Sequence, residues 1–266
     1  MHNPYLALTE EFNRGALRAL LSSGQAVVVH RLAVMSKDGD WIVREESSAI
    51  EHVLTVLAAH GARYRFGAPL ETRWLAGGWS AHLEFPQGGL RIRTDFVSRP
   101  PRIAPALLQS MWSAATSSSD PVIGLVPLAA IKLTNREKDY AVVGELARAM
   151  RDPRDQLQYS RSPIDLLELA NKYPELMAEA MARRAALTAI AAGRDAIEAA
   201  LDHERRVLMR TNEQRLASYQ LAAAAWARIW PVLQRDFDGV PLLEAHREMV
   251  RRAQGVLPFH PEGSPA

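Results

Sequence analysis

The chain has 266 residues, a length that predicts one large or two smaller domains with enough chain to bury a hydrophobic core. A formal net charge of +2 excludes a strongly basic nucleic-acid-binding arm, so any RNA would have to bind a local basic patch. The absence of cysteine excludes disulfides, thiolate metal sites and a cysteine nucleophile. Without a signal-peptide pattern or an apolar run of ~18 residues, a cytoplasmic protein with no membrane partner is expected.

The first half of the chain mixes predicted strands with a predicted helix. The valine-rich run at residues 26–30 and the segment 38–43 each favour a strand. The pattern Ser48-Ala-Ile-Glu51 is typical of a capping box, and the apolar stripe that follows predicts a helix ending near Gly61.

Two glycine pairs mark the next elements. Gly77-Gly78 and Gly88-Gly89 bracket two segments of alternating polarity, residues 80–85 and 90–97. Alternation with a short glycine loop is the pattern of two antiparallel strands, which is therefore the prediction for this region.

Helical patterns dominate the second half. Residues 128–133 and 138–150 predict two helices, and Asp152-Pro153 predicts a domain boundary. Ser162-Pro163 predicts the start of another helix. Residues 194–230 predict one long helix, stopped by Pro231, before a last helix at 242–254. The predicted architecture is a small α+β domain, residues 1–151, followed by an all-helical domain, residues 152–266.

Three acidic residues predict the chemistry. On a strand, Asp38 and Asp40 project from the same face, about 7 Å apart along the chain. Two like charges side by side are costly unless a cation lies between them, and Mg²⁺ prefers carboxylate oxygens. Asp95, on the predicted neighbouring strand, would supply a third carboxylate. The alternative is that an Asp-x-Asp pair beside a glycine is a solvated turn.

Arginines surround these acids in the sequence. Arg91 and Arg93 share a strand face with Asp95, so they would either contact phosphate or form ion pairs on a water-facing strand. The region 61–110 is locally basic and could guide an RNA acceptor, although scattered arginines are more often plain surface.

Two segments together resemble a known family. Ser23-Gly24-Gln-Ala-Val-Val-Val-His30, followed by Ser36-Lys-Asp38-Gly-Asp40, resembles the Gly-Gly-x-Ala-x-x-x-His and Thr-Lys-Asp-x-Asp signature of AbiEii-like nucleotidyltransferases. These are minimal polymerase-β-like enzymes common in toxin–antitoxin systems. The segment that runs from Leu128 through Lys132 to Asp139 is similar to their Leu-x-x-x-Lys … Arg-x-Lys-Asp element, so the resemblance covers about residues 20–150.

The resemblance implies a fold, an activity and a set of site residues. The fold is that of a nucleotidyltransferase, a small mixed sheet with flanking helices. The activity is a Mg²⁺- or Mn²⁺-dependent transfer of a nucleoside monophosphate from a nucleoside triphosphate to an RNA (tRNA) or protein acceptor, with an antitoxin as a further partner. The implied metal ligands are Asp38, Asp40 and Asp95, with Lys132 at the triphosphate. The implied nucleotide-binding residues are Ser23, Gly24, Ser36, Arg93, Lys132 and Asp139.

The sequence departs from the family pattern at three positions, and these departures favour an alternative function. Ser23 replaces the first loop glycine, Arg31 replaces a glycine after the histidine, and Val34 replaces an arginine. A less permissive loop hinders close approach of the backbone to phosphate. The alternative is therefore a catalytically degenerate protein of the same fold that binds a nucleotide or a protein partner.

Other patterns favour structural roles. The segment from Gly78 to His82 starts like a serine-hydrolase elbow but lacks its closing glycine, so a structural turn is favoured. His30, in an apolar run, is interpreted as a packed, hydrogen-bonded histidine. Side chains at three- and four-residue steps from Leu216 to Trp230 predict an apolar seam, used for packing within the chain or for a partner or dimer.

Overall fold

The computed structural model describes residues 3–261 and has the α+β architecture that the sequence predicts. The chain folds as two compact units. Residues 1–123 and 216–266 form the first, here called the sheet unit, and residues 124–215 form the second, the helical unit. This division differs from the predicted one, 1–151 and 152–266. Asp152 is the N-cap of a helix inside the helical unit, and its side chain accepts a hydrogen bond from the amide of Arg154.

The sheet unit contains a five-stranded mixed sheet. Its strands are β1 (Ala19–Ser22), β2 (Gly39–Val43), β3 (Arg63–Gly67), β4 (Ala81–Gln87) and β5 (Leu90–Val97). Their order across the sheet is β1-β2-β5-β4-β3. The central pair β2 and β5 is parallel, whereas the other three pairs are antiparallel.

The predicted antiparallel pair is confirmed as β4 and β5. Gly88 and Gly89 form a two-residue loop with φ angles of 56° and 77°. Positive φ at both central residues is the geometry that matches the twist of a tight hairpin, and only glycine adopts it without strain. The loop therefore fixes the register, which pairs Gln87 with Leu90 and, further along, His82 with Asp95.

The strand predicted at residues 26–30 is wrong. Those residues belong to the helix α2 (Ser23–Val29), and the strand that precedes it is β1. A short apolar run bounded by polar residues fits a buried strand and a buried helical turn equally well, and tertiary packing overrides the weak strand preference of valine. The prediction of a strand at residues 38–43 is confirmed by β2.

Seven complete helices and residues 216–222 of α11 (Arg194–Ala222) belong to the described part of the sheet unit. The complete helices are α1 (Pro4–Phe12), α2, α3 (Ser47–Ala59), α4 (Thr72–Ala76), α5 (Pro105–Ser118) and, from the end of the chain, α12 (Ala224–Asp236) and α13 (Leu242–Ala253). The helix predicted after Ser48 is confirmed as α3, but its N-cap is Glu46 rather than Ser48. One core joins the sheet to these helices, and Trp41 lies at its centre, stacked on Phe96 at 5.5 Å between ring centroids.

The helical unit has its own apolar core. Its helices are α6 (Leu125–Lys132), α7 (Glu137–Ala149), α8 (Pro153–Tyr159), α9 (Pro163–Lys172), α10 (Met177–Arg183) and residues 194–215 of α11 (Arg194–Ala222). The first two confirm the helices predicted at 128–133 and 138–150. Ser162 caps α9 as predicted, because its hydroxyl accepts a hydrogen bond from the amide of Asp165. None of the helices within residues 3–261 is both long and apolar enough to cross a membrane.

The prediction of one long helix stopped by Pro231 is wrong. The helix α11 ends at Ala222, and α12 contains Pro231 within its length. Trp226, only 4% exposed, packs into the core of the sheet unit and its indole N–H donates to the carbonyl of Gly67 at 2.9 Å. Tyr219 likewise donates to the carbonyl of Gly77 at 2.8 Å. The predicted seam is therefore used for packing within the chain at these positions.

Candidate functional site

One row of side chains crosses the whole sheet at a single level. Ser22 on β1 pairs with Asp40 on β2, and Asp40 pairs with Asp95 on the parallel strand β5. Asp95 pairs in turn with His82 on β4, and His82 with Phe66 on β3. Directly opposite residues on neighbouring strands project to the same face and interact. The sheet therefore sets two carboxylates and an imidazole side by side on one face.

Packing holds Asp38 and Asp40 at the start of β2. Gly39 between them has no room for a side chain, since a Cβ would lie 2.5 Å from the ring of Tyr5 and 2.4 Å from that of Trp41. Tyr5 also donates to the carbonyl of Lys37 at 2.6 Å. Burial, together with the negative charges of Asp38 and Asp40, raises the pKa of Tyr5. Both carboxylates are therefore close enough to Tyr5 to affect the pKa of its hydroxyl.

Four of the residues named with the family signature, Ser23, Gly24, Ser36 and Asp38, lie in one corner of the sheet unit. Ser23 follows β1 with a left-handed φ of 49°, and Gly24 comes next at the start of α2. A Cβ on Gly24 would lie only 2.2 Å from the hydroxyl oxygen of Ser36. That hydroxyl donates to the carbonyl of Asp38 at 3.3 Å. The first turn of α2 is therefore in contact with the segment before β2, beside the acidic pair.

Asp95 is held by two basic side chains. Nη2 of Arg65 donates to Oδ1 of Asp95 at 2.8 Å, and Nδ1 of His82 lies 2.8 Å from the same oxygen. All three side chains are mostly buried, with 16 to 21% of each exposed. A carboxylate oxygen shared by a guanidinium and an imidazole is not a free metal ligand. Sequence reasoning missed Arg65 and His82 as partners of Asp95.

Several polar atoms at this site have no hydrogen-bond partner. They are Oδ1 of Asp38, Nε of Arg65 and Nδ1 of His82, all buried. Among the residues that the structure describes, only one other buried side-chain polar atom shares this property, Nε of Arg161. Nearly all buried polar groups in proteins are satisfied, so a cluster of exceptions marks a place where a ligand can supply the missing contacts.

A divalent cation fits part of the predicted carboxylate set. Asp38 offers a buried carboxylate oxygen without a hydrogen bond, and Asp40 follows two residues later, as the second residue of β2. Hard carboxylate oxygens of this kind are the ligands that Mg²⁺ prefers. Within residues 3–261, however, no three Asp, Glu or His side chains are grouped so as to hold a metal ion, and Asp95 is engaged by Arg65 and His82. The residues thus fit a cation held by two carboxylates and by the phosphates of a substrate.

The arginines near the site form ion pairs. Nη1 of Arg93 lies 3.6 Å from Oδ1 of Asp38, too long for a hydrogen bond, and its side chain is 39% exposed. Arg91, two residues earlier, is 63% exposed and lies 3.9 Å from a carboxylate oxygen of Glu84. Arg93 is therefore the arginine of this strand that adjoins the acidic pair. Other arginines of the basic region are also paired with acids, as Arg63 is with Glu84, Arg73 with Glu71 and Arg99 with Glu45.

Lys132 and Asp139 lie in the helical unit and are held together there. The ammonium of Lys132 is 3.8 Å from Asp139, and both side chains are more than 90% buried. Asp139 also accepts from Thr134 at 2.5 Å and from Arg136 at 2.8 Å. The chain between α6 and α7 is not helical, so one continuous helix does not place the two residues on one face. Their roles at a nucleotide stay predictions.

His30 has the structural role expected of it, although it follows a helix rather than lying in a strand. Its Nε2 lies 2.8 Å from the carbonyl oxygen of Ile123, at hydrogen-bond distance. It caps the C-terminal end of α2. The interpretation as a packed, hydrogen-bonded histidine is confirmed.

Comparison with known proteins does not assign the chain to a family. No family model and no curated protein matches the chain. A solved structure described as "Crystal structure of putative nucleotidyltransferase from H. pylori" is similar at 9% identity and a TM-score of 0.36, over 79% of this chain and 96% of that one. This structural similarity is too low to support a function, so the functional proposal depends on the geometry of the site.

Proposed function

We propose that the sheet unit is a divalent-cation-dependent nucleotidyltransferase that moves a nucleoside monophosphate from a nucleoside triphosphate to an acceptor hydroxyl. The observation that carries the proposal is the corner where Gly24 and Ser36 meet beside Asp38, with Asp40 next to Asp95 on a parallel strand pair. Gly24, Asp38 and Asp40 match the signature of the resembled family, and Ser36 stands where that signature has threonine. The sequence alone did not require these residues to lie close together in the fold.

The acidic pair is the proposed cation site. Asp38 and Asp40 would hold Mg²⁺ or Mn²⁺, which when bound supplies charge neutralisation for the phosphates and for the departing pyrophosphate. Arg93, beside Asp38, is suited to bind a phosphate oxygen, because its guanidinium is within 4 Å of the carboxylate without a hydrogen bond to it. Ser23 and Gly24 would form the loop that approaches the phosphates, as the family resemblance implies.

For the acceptor, only the reacting group is proposed. A hydroxyl of RNA, including tRNA, or of a protein would attack the α-phosphate. Membership of a toxin–antitoxin pair, with an antitoxin partner, is what the family resemblance adds, and it rests on that resemblance alone.

A second candidate function is supported by the state of Asp95. Because Arg65 and His82 both contact its Oδ1, the third carboxylate of the family pattern is engaged within the chain. A protein with this arrangement could bind a nucleoside triphosphate through Asp38 and Asp40 without transferring it. Binding without transfer is therefore the alternative.

Label transfer separates the two functions. The wild-type protein is incubated with labelled nucleoside triphosphates, Mg²⁺ and total RNA, beside the variant Asp38→Ala/Asp40→Ala. The matched control is Asp236→Ala/Asp238→Ala, which removes a second, exposed Asp-x-Asp pair at the end of α12. We expect transfer by the wild type and by the control but not by the first variant. Transfer that survives in Asp38→Ala/Asp40→Ala would exclude the proposed cation site, and nucleotide binding without any transfer would favour the alternative.

A further inference from the structure

A serine, a histidine and an aspartate form a connected series at one end of the row of side chains described above. The hydroxyl oxygen of Ser80 lies 2.7 Å from Nε2 of His82. Nδ1 of the same ring lies 2.8 Å from Oδ1 of Asp95. A nucleophile within hydrogen-bond reach of a base, which is oriented by a third group, is the arrangement that activates serine hydroxyls.

The imidazole of His82 is fixed from several sides. The ring of Phe66 stacks on it with 4.2 Å between centroids. Gly67 leaves room for its edge, since a Cβ there would lie 2.6 Å from Cδ2 of His82. Trp226 in turn binds the carbonyl of Gly67. Groups held this way are pre-organised, which is what a catalytic base requires.

The contact between His82 and Asp95 is close but not aligned. Nδ1 of His82 is buried and has no hydrogen bond by geometry, although the carboxylate oxygen is at hydrogen-bond distance. Catalytic hydrogen bonds are often misaligned before the substrate binds. In the tautomer with the proton on Nδ1, the lone pair of Nε2 accepts from the Ser80 hydroxyl.

From these contacts we propose that Ser80 is an activated nucleophile and the protein's own internal acceptor for the nucleotidyl group. This inference rests on the proposed function, because the nucleoside triphosphate is the co-reactant. One imidazole ring separates Ser80 from Asp95, and Asp95 is the strand neighbour of Asp40. The product is a phosphodiester between Ser80 and a nucleoside monophosphate.

The atoms of the transfer balance without a redox step. A bond forms between the hydroxyl oxygen of Ser80 and the α-phosphorus, and the bond from that phosphorus to the oxygen bridging to the β-phosphate breaks. Pyrophosphate leaves with the electron pair, and the serine proton passes to Nε2 of His82. Asp95 acts as a positioning residue that orients the ring and balances its charge.

The first measurement is the intact mass of the protein after incubation with Mg²⁺ and each nucleoside triphosphate. We expect one added nucleoside monophosphate, located at Ser80 by peptide sequencing. The adduct should be absent in Ser80→Ala and present in Ser113→Ala, which removes an exposed serine of α5. An adduct at another residue, or transfer to RNA without any adduct at Ser80, would overturn the inference and leave the proposed function standing.

The second measurement needs no nucleotide and therefore separates the two proposals. Diisopropyl fluorophosphate reacts with activated serines, forming the serine–phosphorus bond as fluoride leaves. We expect labelling of Ser80 that is lost in His82→Gly and restored by added imidazole, an effect that a purely structural histidine would not produce. In Asp95→Asn the maximal labelling rate should fall at least fivefold, whereas the probe concentration giving half that rate should not change. Labelling without any nucleotide transfer would refute the proposed function and the acceptor role of Ser80 but not its activation, and absence of labelling at Ser80 would refute its activation.

Discussion

The hydroxyl of Tyr64 on β3 lies 2.8 Å from Nδ1 of His246 on α13, 182 residues further along the chain. The amide of Leu70 donates to the same hydroxyl oxygen at 3.0 Å, so the tyrosine proton is directed at the imidazole. The imidazole must therefore be neutral, with Nδ1 free to accept. Burial lowers the pKa of His246 to about 4, which is consistent with this bond.

This contact predicts a loss of stability in mild acid. The pKa of His246 is lower in the folded protein than in the unfolded chain. The unfolded chain therefore binds more protons as the pH falls below about 6.5. The resulting loss of folding stability is complete near pH 4. Between about pH 7.5 and about pH 5 we expect the free energy of unfolding to fall by about 2 kcal/mol on account of this group. Urea unfolding measures this change in the free energy of unfolding. His246→Leu should remove that part of the pH dependence, whereas His203→Leu, at an exposed histidine, should retain it.

The position of Trp226 predicts its contribution to stability. Trp226→Ala should lower the free energy of unfolding by about 3–5 kcal/mol, because it empties a core site and leaves the carbonyl of Gly67 without its donor. Leu221→Ala, at a side chain 80% exposed, should change it by less than about 0.5 kcal/mol. Light scattering should give the same mass for both variants and the wild type. A change of mass in Trp226→Ala would instead favour the seam as a contact between copies of the chain.

Arg93 and Arg91 should differ in their effect on nucleotide binding. Arg93 lies beside Asp38, so Arg93→Ala should weaken the binding of a nucleoside triphosphate with Mg²⁺ about tenfold, the effect of one charge-assisted contact. Arg91→Ala changes the same face of the same strand, but its partner is Glu84, and binding should weaken less than about twofold. Calorimetric titration measures both. Equal effects would mean that the strand provides only general positive charge.

Asp139 should matter for folding in the helical unit. Asp139→Asn removes the carboxylate charge that contacts the buried Lys132 and the half-exposed Arg136, and we expect a loss of about 3 kcal/mol in the free energy of unfolding. Glu145→Gln, at an exposed ion pair with Arg148, should cost close to nothing. Urea unfolding of both variants checks this. If Asp139→Asn unfolds like the wild type but no longer binds nucleotide, the nucleotide role implied by the family signature is favoured instead.

The elements that the sequence predicts well are those with a local signal. The apolar stripe of α3 and the glycine pair between β4 and β5 each follow from a few neighbouring residues, and both are confirmed. The run at residues 26–30 failed because its valines satisfy a strand and a short helix alike. The compact units are divided differently from the predicted domains, because residues 216–261 belong to the sheet unit through long-range contacts that leave no local signal in the sequence.

The residues of the candidate site were predicted only where a local pattern or the family signature marks them. Asp38, Asp40 and Asp95 are marked by spacing and by family signature. His82 was within reach of the sequence, since counting back along both strands from the two-residue loop at Gly88-Gly89 sets it opposite Asp95. Arg65 was not, because α4 rather than a tight turn joins β3 to β4, and the register of this pair is irregular between Tyr64 and Phe66.

The central claim is that Asp38 and Asp40 hold the cation through which a nucleoside triphosphate binds. Equilibrium dialysis of a labelled triphosphate with and without Mg²⁺ tests it most directly, on the wild type, Asp38→Asn/Asp40→Asn and the control Asp236→Asn/Asp238→Asn. We predict binding that requires Mg²⁺, weakens about tenfold or more in the first variant and is unchanged in the control. Binding that is equally tight without a divalent cation, or unaffected by Asp38→Asn/Asp40→Asn, would contradict the account.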